Sequence, residues 1–272
     1  MSFKILDFKC ALVTGGAGGI GRAITEYFLS IGKKVVIAGR TESKLKDTVK
    51  EINNPNLSYY TLDTGDISSI PTFIKTITKE HPDVDCLVNN AGVQRPLDVN
   101  EMSSEEFLKK ADQEVAININ GPMHLAIGLL PHFKSHKSGA VIMNVSSVLG
   151  YMPSSVINPV YNGTKSWLHF WTMNLRTQLR TSKDGGNKIR VVEIAPPTVS
   201  TDLHRERADP NDNKKEQNSA ALSVQEFMDE VTSAWKKDEE VISPGPAKQV
   251  VEKWYNAYGG DYEKSAGDRG GR

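Results

Sequence analysis

Apolar residues in this chain follow two alternating rhythms. Short, almost unbroken apolar runs occupy 9–14, 34–38, 57–62, 84–89, 140–145 and 189–195. Each is the length of a strand buried on both faces. Between them, apolar residues recur every three or four positions. In 19–30 these are Ile20, Ala23, Ile24, Tyr27 and Phe28, with Gly32 closing the helix. Thr41 is placed to cap a helix through 52, and Ser68 or Ser69 opens one through about 79. A long helical stretch covers 103–132. Further helices are expected over 161–180, 224–235 and 248–258, and a last short strand over 241–243. Strand and helix in alternation, with strands apolar throughout, predict a parallel sheet covered on both faces. The expectation is one α/β domain over 1–272, doubly wound in the Rossmann manner. Residues 202–222 contain a polar, charge-rich loop directly after the sixth strand, placed to act as a lid. Residues 259–272 are Gly-rich and polar and read as a flexible tail.

The chain has 272 residues, enough to bury a full core without disulfide staples. Its 33 Lys and Arg balance 33 Asp and Glu. That argues against a global attraction to nucleic acid or anionic lipid. No signal-length or membrane-length apolar run is present. The two cysteines, Cys10 and Cys86, each lie in a strand-like run and read as reduced, buried thiols. The expected setting is cytoplasmic. Histidines do not gather at ligand spacing, so no metal is expected.

The first strand runs into Thr14-Gly15-Gly16-Ala17-Gly18-Gly19-Ile20-Gly21, and a helix follows. Gly16, Gly18 and Gly21 fit GxGxxG; Thr14, Gly15, Gly19 and Gly21 fit TGxxxGxG. Glycines here allow a tight turn and close backbone approach to a pyrophosphate, which meets the free N–H groups of the helix start, around Gly19 and Ile20. At the end of the second strand a diol-reading site carries an acid. This chain carries Gly39 and then Arg40. A guanidinium suits a 2′-phosphate, which favours NADP(H) over NAD(H).

Four more blocks follow in order: Asn89-Asn90-Ala91-Gly92, Asn118-Ile119-Asn120-Gly121, Ser146-Ser147, and Tyr161-Asn162-Gly163-Thr164-Lys165. Together with the glycine loop they resemble the short-chain dehydrogenase/reductase family over nearly the whole chain. Within it, VYNGTK and Glu193-Ile194-Ala195-Pro196-Pro197 resemble the subgroup named after a teichoic-acid D-alanylation operon oxidoreductase. Tyr161 and Lys165 are four apart and share a helix face. Lys165 and an oxidised nicotinamide are expected to lower the phenol from its usual value of about 10. Tyr161 then exchanges the proton with the substrate oxygen. Lys165 is expected also to hydrogen-bond the nicotinamide ribose. Ser147 donates where charge develops, with Ser146 as the alternative.

The resemblance implies further roles. Asn118 would hold a water linking Lys165 to solvent. Asn90, Ala91 and Gly92 would back the adenosine side of the cofactor, and Asp63 and Thr64 would contact adenine. Pro196, Val199 and Thr201 would meet the nicotinamide. Two departures stand out: Pro197 where the family has Gly, and Gly163 inside YxxxK.

The resulting expectation is an NADPH-dependent carbonyl reductase acting on CH–OH groups of small or medium ketones and aldehydes. Its pocket would involve Gln94, Arg95, Val148, Leu149, Tyr151, Met152, Pro197, Leu203 and His204. Arg95 would keep keto acids open. The alternatives are a catalytically silent NADP(H) sensor and a structural oligomeric protein. Helical surface in 112–130 and 167–179 suits a homodimer or homotetramer.

Overall fold

The computed structural model describes residues 3–267. Seven parallel strands make one sheet: β1 (Cys10–Thr14), β2 (Lys34–Gly39), β3 (Leu57–Thr61), β4 (Val84–Asn89), β5 (Ala140–Val145), β6 (Ile189–Ile194) and β7 (Val241–Ile242). Their spatial order is β3-β2-β1-β4-β5-β6-β7. After β3 the chain crosses back over β1, so the winding reverses between β1 and β4. In such sheets the crevice outside the strands' C-terminal ends at that reversal is where ligands bind.

The described residues also form eight α-helices, the last of them after β7: α1 (Gly19–Ser30), α2 (Glu42–Ile52), α3 (Ile70–Glu80), α4 (Ser104–Val115), α5 (Gly121–Ser135), α6 (Pro159–Arg180), α7 (Val224–Lys236) and α8 (Ala247–Gly267). Successive strand residues face opposite layers. Val13, Ile37, Val88, Met143 and Val192 pack with Ile24 and Phe28 of α1 and Phe227, Val231 and Trp235 of α7. Leu12, Val36, Leu87, Ile142 and Val191 pack with Phe73 and Ile77 of α3, Leu125, Leu129 and Phe133 of α5, and Leu175 and Leu179 of α6. With both faces buried, alternation disappears and the strands read as continuous apolar runs. Cys10 and Cys86 are free and buried among them. Burial pushes the Cys10 thiol up to about 12. None of the described helices is long and apolar enough to cross a membrane.

The helical stretch expected over 103–132 is found over 104–135, but its α-geometry breaks at a π-helical turn, Ala116–Asn120. Pro122 explains the break, because it has no N–H to offer the carbonyl of Asn118. Gly121 helps: a Cβ there would lie 2.6 Å from the Thr64 carbonyl oxygen. The tail expected to be flexible from Gly259 is helical as far as Gly267. Tyr262 anchors it, donating to the Met173 carbonyl at 2.9 Å and bonding Thr177 Oγ1 at 2.6 Å. Residues 268–272 lie outside the described part.

Candidate active site

The glycine loop is built by close approach. A Cβ on Gly21 would stand 2.3 Å from the Gly15 carbonyl oxygen and 2.5 Å from Asn90 Nδ2, so α1 starts hard against the loop. Gly19 sits at φ +51°, in the left-handed region. Asn90 fixes the turn from the β4 side, its Nδ2 donating to the Thr14 carbonyl at 2.9 Å. Thr14 Oγ1 accepts from the N–H groups of Asn90 and Ala91, both at 3.0 Å. The N-cap of α1 is Gly18, which has no capping side chain, and the first turn has no acid. The positive end of the α1 dipole is thus left open to an anion.

This loop borders a cleft of about 610 Å³. Gly15, Gly18, Gly19 and Ile20 line it, as do Asn90, Ala91, Gly92, Thr64, Pro196, Val199 and Thr201. Gly16 and Gly21 turn into the protein instead, against Ile37 and the Gly15 carbonyl. Asp63 is also off the wall. It is exposed and accepts from the Gly65 N–H at 2.9 Å, closing a turn, while Leu62 and Thr64 face the cleft on either side of it. Arg40 is exposed on the cleft wall beside Thr41 and Lys44. Thr41 occupies the N-cap position of α2 without a side-chain capping bond.

Ser147, Tyr161 and Lys165 line the same cleft. Beyond β5 the Ser146 N–H donates to the Ile194 carbonyl at 2.8 Å and the Val148 N–H to the Pro196 carbonyl at 2.9 Å. Ser147, between them, is extended and caps a short 3-10 turn, Val148–Gly150. Ser146 is otherwise engaged: its hydroxyl donates to Glu193 Oε1 at 2.6 Å. Asn118 does not line the cleft. It is buried behind it, bonding both the N–H and the carbonyl of Val93 at 3.0 and 2.9 Å, and Thr164 Oγ1 at 3.2 Å.

The expected effect of Lys165 on Tyr161 is not what the protein groups produce. Burial pushes the Tyr161 phenol above its ordinary value, and the Ser147 hydroxyl opposes this only in part. The Lys165 ammonium lies over the Tyr161 ring, 5.4 Å from its centroid, and donates to the Val145 carbonyl at 2.8 Å. It is itself pushed down to about 8 by burial, with Glu114 opposing. The phenol therefore keeps its proton at neutral pH, the form an acid needs. At Gly163, a Cβ would meet nothing within 4 Å, so only helix propensity, about 1 kcal/mol, is at stake.

The substrate end needs three corrections. Gln94, Val148, Leu149, Pro197, Leu203 and His204 line the cleft; Arg95, Tyr151 and Met152 do not. Arg95 is buried and holds Glu206 at 3.2 Å and Gln113 Oε1 at 2.7 Å, so it fastens the 202–222 loop to the body. Tyr151 turns inward, its ring 4.0 Å from that of His169. Met152 is half exposed. Arg205 and Arg207 of the loop border the cleft instead.

Residues 9–212 match the family model described as short chain dehydrogenase. The chain belongs to the short chain dehydrogenase family. It is an oxidoreductase of that family, and its seven-stranded parallel sheet is the family's Rossmann-like fold. It is 30% identical over 253 residues to the uncharacterized oxidoreductase DltE of Bacillus subtilis, covering 93% of each chain. It is 31% identical to the NADP-dependent 3-hydroxy acid dehydrogenase YdfG of Escherichia coli K12, covering 81% of this chain and 86% of that one. A short-chain dehydrogenase from Sphingobium yanoikuyae, solved in complex with NADPH, superposes with a TM-score of 0.77 at 22% identity, covering 96% of both.

Other groups in this oxidoreductase's site went unassigned in the sequence. Lys44, on the helix after Arg40, borders the cleft. Behind Ser147, His169 Nδ1 meets Glu193 Oε2 at 2.9 Å with both side chains fully buried. Burial pushes the Glu193 carboxyl up, but His169 and Ser146 outweigh it and hold the acid below its ordinary value. An acid inside the apolar run of β6 was the visible signal for this pair. The open α1 terminus, the bare loop backbone and the cation-bearing far wall fit a phosphorylated dinucleotide.

Proposed function

We propose that this oxidoreductase interconverts a carbonyl and an alcohol using NADP(H), with reduction as its working direction. When bound, the nicotinamide supplies or accepts the hydride. One observation carries the reading: Ser147, Tyr161 and Lys165 line a single cleft with the open N-terminus of α1 and with Arg40. The α1 terminus and loop N–H groups hold the pyrophosphate. Arg40 and Lys44 hold the 2′-phosphate. Thr64 and residues 90–92 back the adenosine half, and Pro196, Val199 and Thr201 back the nicotinamide half. Tyr161 gives its proton to the nascent alkoxide, and Ser147 donates to the same oxygen. Lys165 holds the ribose and keeps a positive charge beside the phenol. Asn118 positions the Val93 backbone under the site and supports a water on the path from Lys165. The 202–222 loop covers the substrate end. Its arginines leave carboxylated carbonyls among the substrates.

The test is NADPH consumption across ketones, aldehydes and oxo acids, repeated with NADH. Turnover of small or medium carbonyls with NADPH preferred is the expected result. Tight NADPH binding without turnover of any of them favours the nucleotide sensor.

The oligomer rests on a separate observation. Ile127 on α5 and Phe170 on α6 are about half exposed, Phe170 packing against Trp254 of α8, and α6 also carries the stacked Trp167 and Trp171. A second copy covering these faces would give a dimer- or tetramer-sized species on gel filtration. A monomer-sized species would overturn it.

A further inference from the structure

Glu114 has no role in the reaction as derived above. It is wholly buried in the last turn of α4, and neither of its carboxylate oxygens has a partner in good hydrogen-bond geometry; the one donor that bears on the carboxyl is the Arg95 backbone N–H. An ionised, unpartnered carboxylate in such a place costs several kcal/mol. Buried polar groups are otherwise almost always partnered, so the exception asks for a reason. Its position offers one. Glu114 stands four residues before Asn118, where α4 runs into the π-helical turn, and α4 packs against α6.

Four ionisable groups act on it or are acted on by it: Arg95, Lys165 and Tyr161, and Glu206 of the 202–222 loop. Arg95 is already engaged by Glu206 and Gln113. Lys165 is buried, its ammonium bonded to the neutral Val145 carbonyl, and Glu114 is the ionisable side chain that acts on it.

We propose that Glu114 is the proton store of the Tyr161–Lys165 pair, protonated beside Arg95 and Lys165 alone and ionised when oxidised nicotinamide adds a further positive charge. The proposal rests on the NADP(H) reading above. Burial lifts the Glu114 carboxyl to about 8, against the pull of Arg95 and Lys165. Burial lowers Lys165 to about 8 from the other side. A new positive charge lowers the carboxyl further, its O–H bond breaks, and the proton leaves for solvent. The carboxylate then offsets the added charge. During reduction Tyr161 gives its proton to the product oxygen, the proton leaving Glu114 restores the phenol, and Glu114 takes one proton back from solvent when NADP+ departs, so each turnover consumes one proton.

The experiment is a binding titration of NADP+ at neutral pH in weak buffer with a pH indicator. It compares the wild type with Glu114→Gln and Tyr161→Phe. The wild type and Tyr161→Phe are expected to release protons on binding. Glu114→Gln is expected to lose at least half of that release. Equal release from the wild type and Glu114→Gln overturns the proposal, as does a release lost in Tyr161→Phe instead. Infrared spectra of the protein without nucleotide supply the second measurement. A protonated-carboxyl band absent from Glu114→Gln is expected, and its absence from the wild type overturns the proposal. Failure of NADP+ to bind, with that band present, overturns the NADP(H) reading and the proton coupling built on it.

Discussion

Tyr161→Phe is expected to slow NADPH-dependent carbonyl reduction by about 10²- to 10⁴-fold, the range a positioned general acid contributes. The substitution removes one oxygen and keeps the ring. That ring is almost fully buried and lies under the Lys165 ammonium, so packing and the cation–ring contact survive. NADPH affinity should hardly change. The loss should fall on kcat, because the missing interaction is with charge that develops in the transition state. Single-turnover rates with a carbonyl from the active panel, beside NADPH affinity by fluorescence, separate the two quantities. Near-wild-type reduction would remove Tyr161 from the mechanism.

Arg40→Asp is expected to weaken NADPH by about 30- to 100-fold, the equivalent of roughly 2–3 kcal/mol for a charge-assisted contact. NADH affinity should hold or improve. Arg40 is exposed where β2 gives way to α2, so no core contact is lost. The change replaces a cation with an anion at the expected 2′ position, and Lys44 alone remains to meet the phosphate. Dissociation constants for both nucleotides, measured on both proteins, decide it. Unchanged NADPH affinity would mean the 2′-phosphate is read elsewhere.

Local chemistry was the legible part of this chain. β4 and β5 end where their apolar runs end, and α1 begins within its glycine loop. Ser147, Tyr161 and Lys165 converge because strand ends and helix periodicity fix where side chains stand. What escaped was decided by partners far away in sequence. Arg95 looked available to a substrate, yet Glu206, more than a hundred residues later, holds it. Tyr151 looked like pocket wall until His169 drew it inward. The end of α8 looked too polar to persist, but one Tyr262 hydroxyl bonded to α6 extends it past two glycines, Gly259 and Gly260. Asp63 satisfies a turn two residues away, a use its place at a strand end did not reveal.

The π-helical turn between α4 and α5 has a consequence for register. A turn closed by i→i+5 bonds takes in one residue more than an α-turn. One residue is about 100° of rotation, so everything after it is out of phase with everything before. Glu114 on α4 is buried where α4 packs against α6, while Leu125, Leu129 and Phe133 on α5 face the sheet and α3. A continuous α-helix could hold one of these orientations and would surrender the other. Shortening this turn by one residue would therefore act like a camshaft mistimed by one tooth: either the site or the core would meet the wrong face.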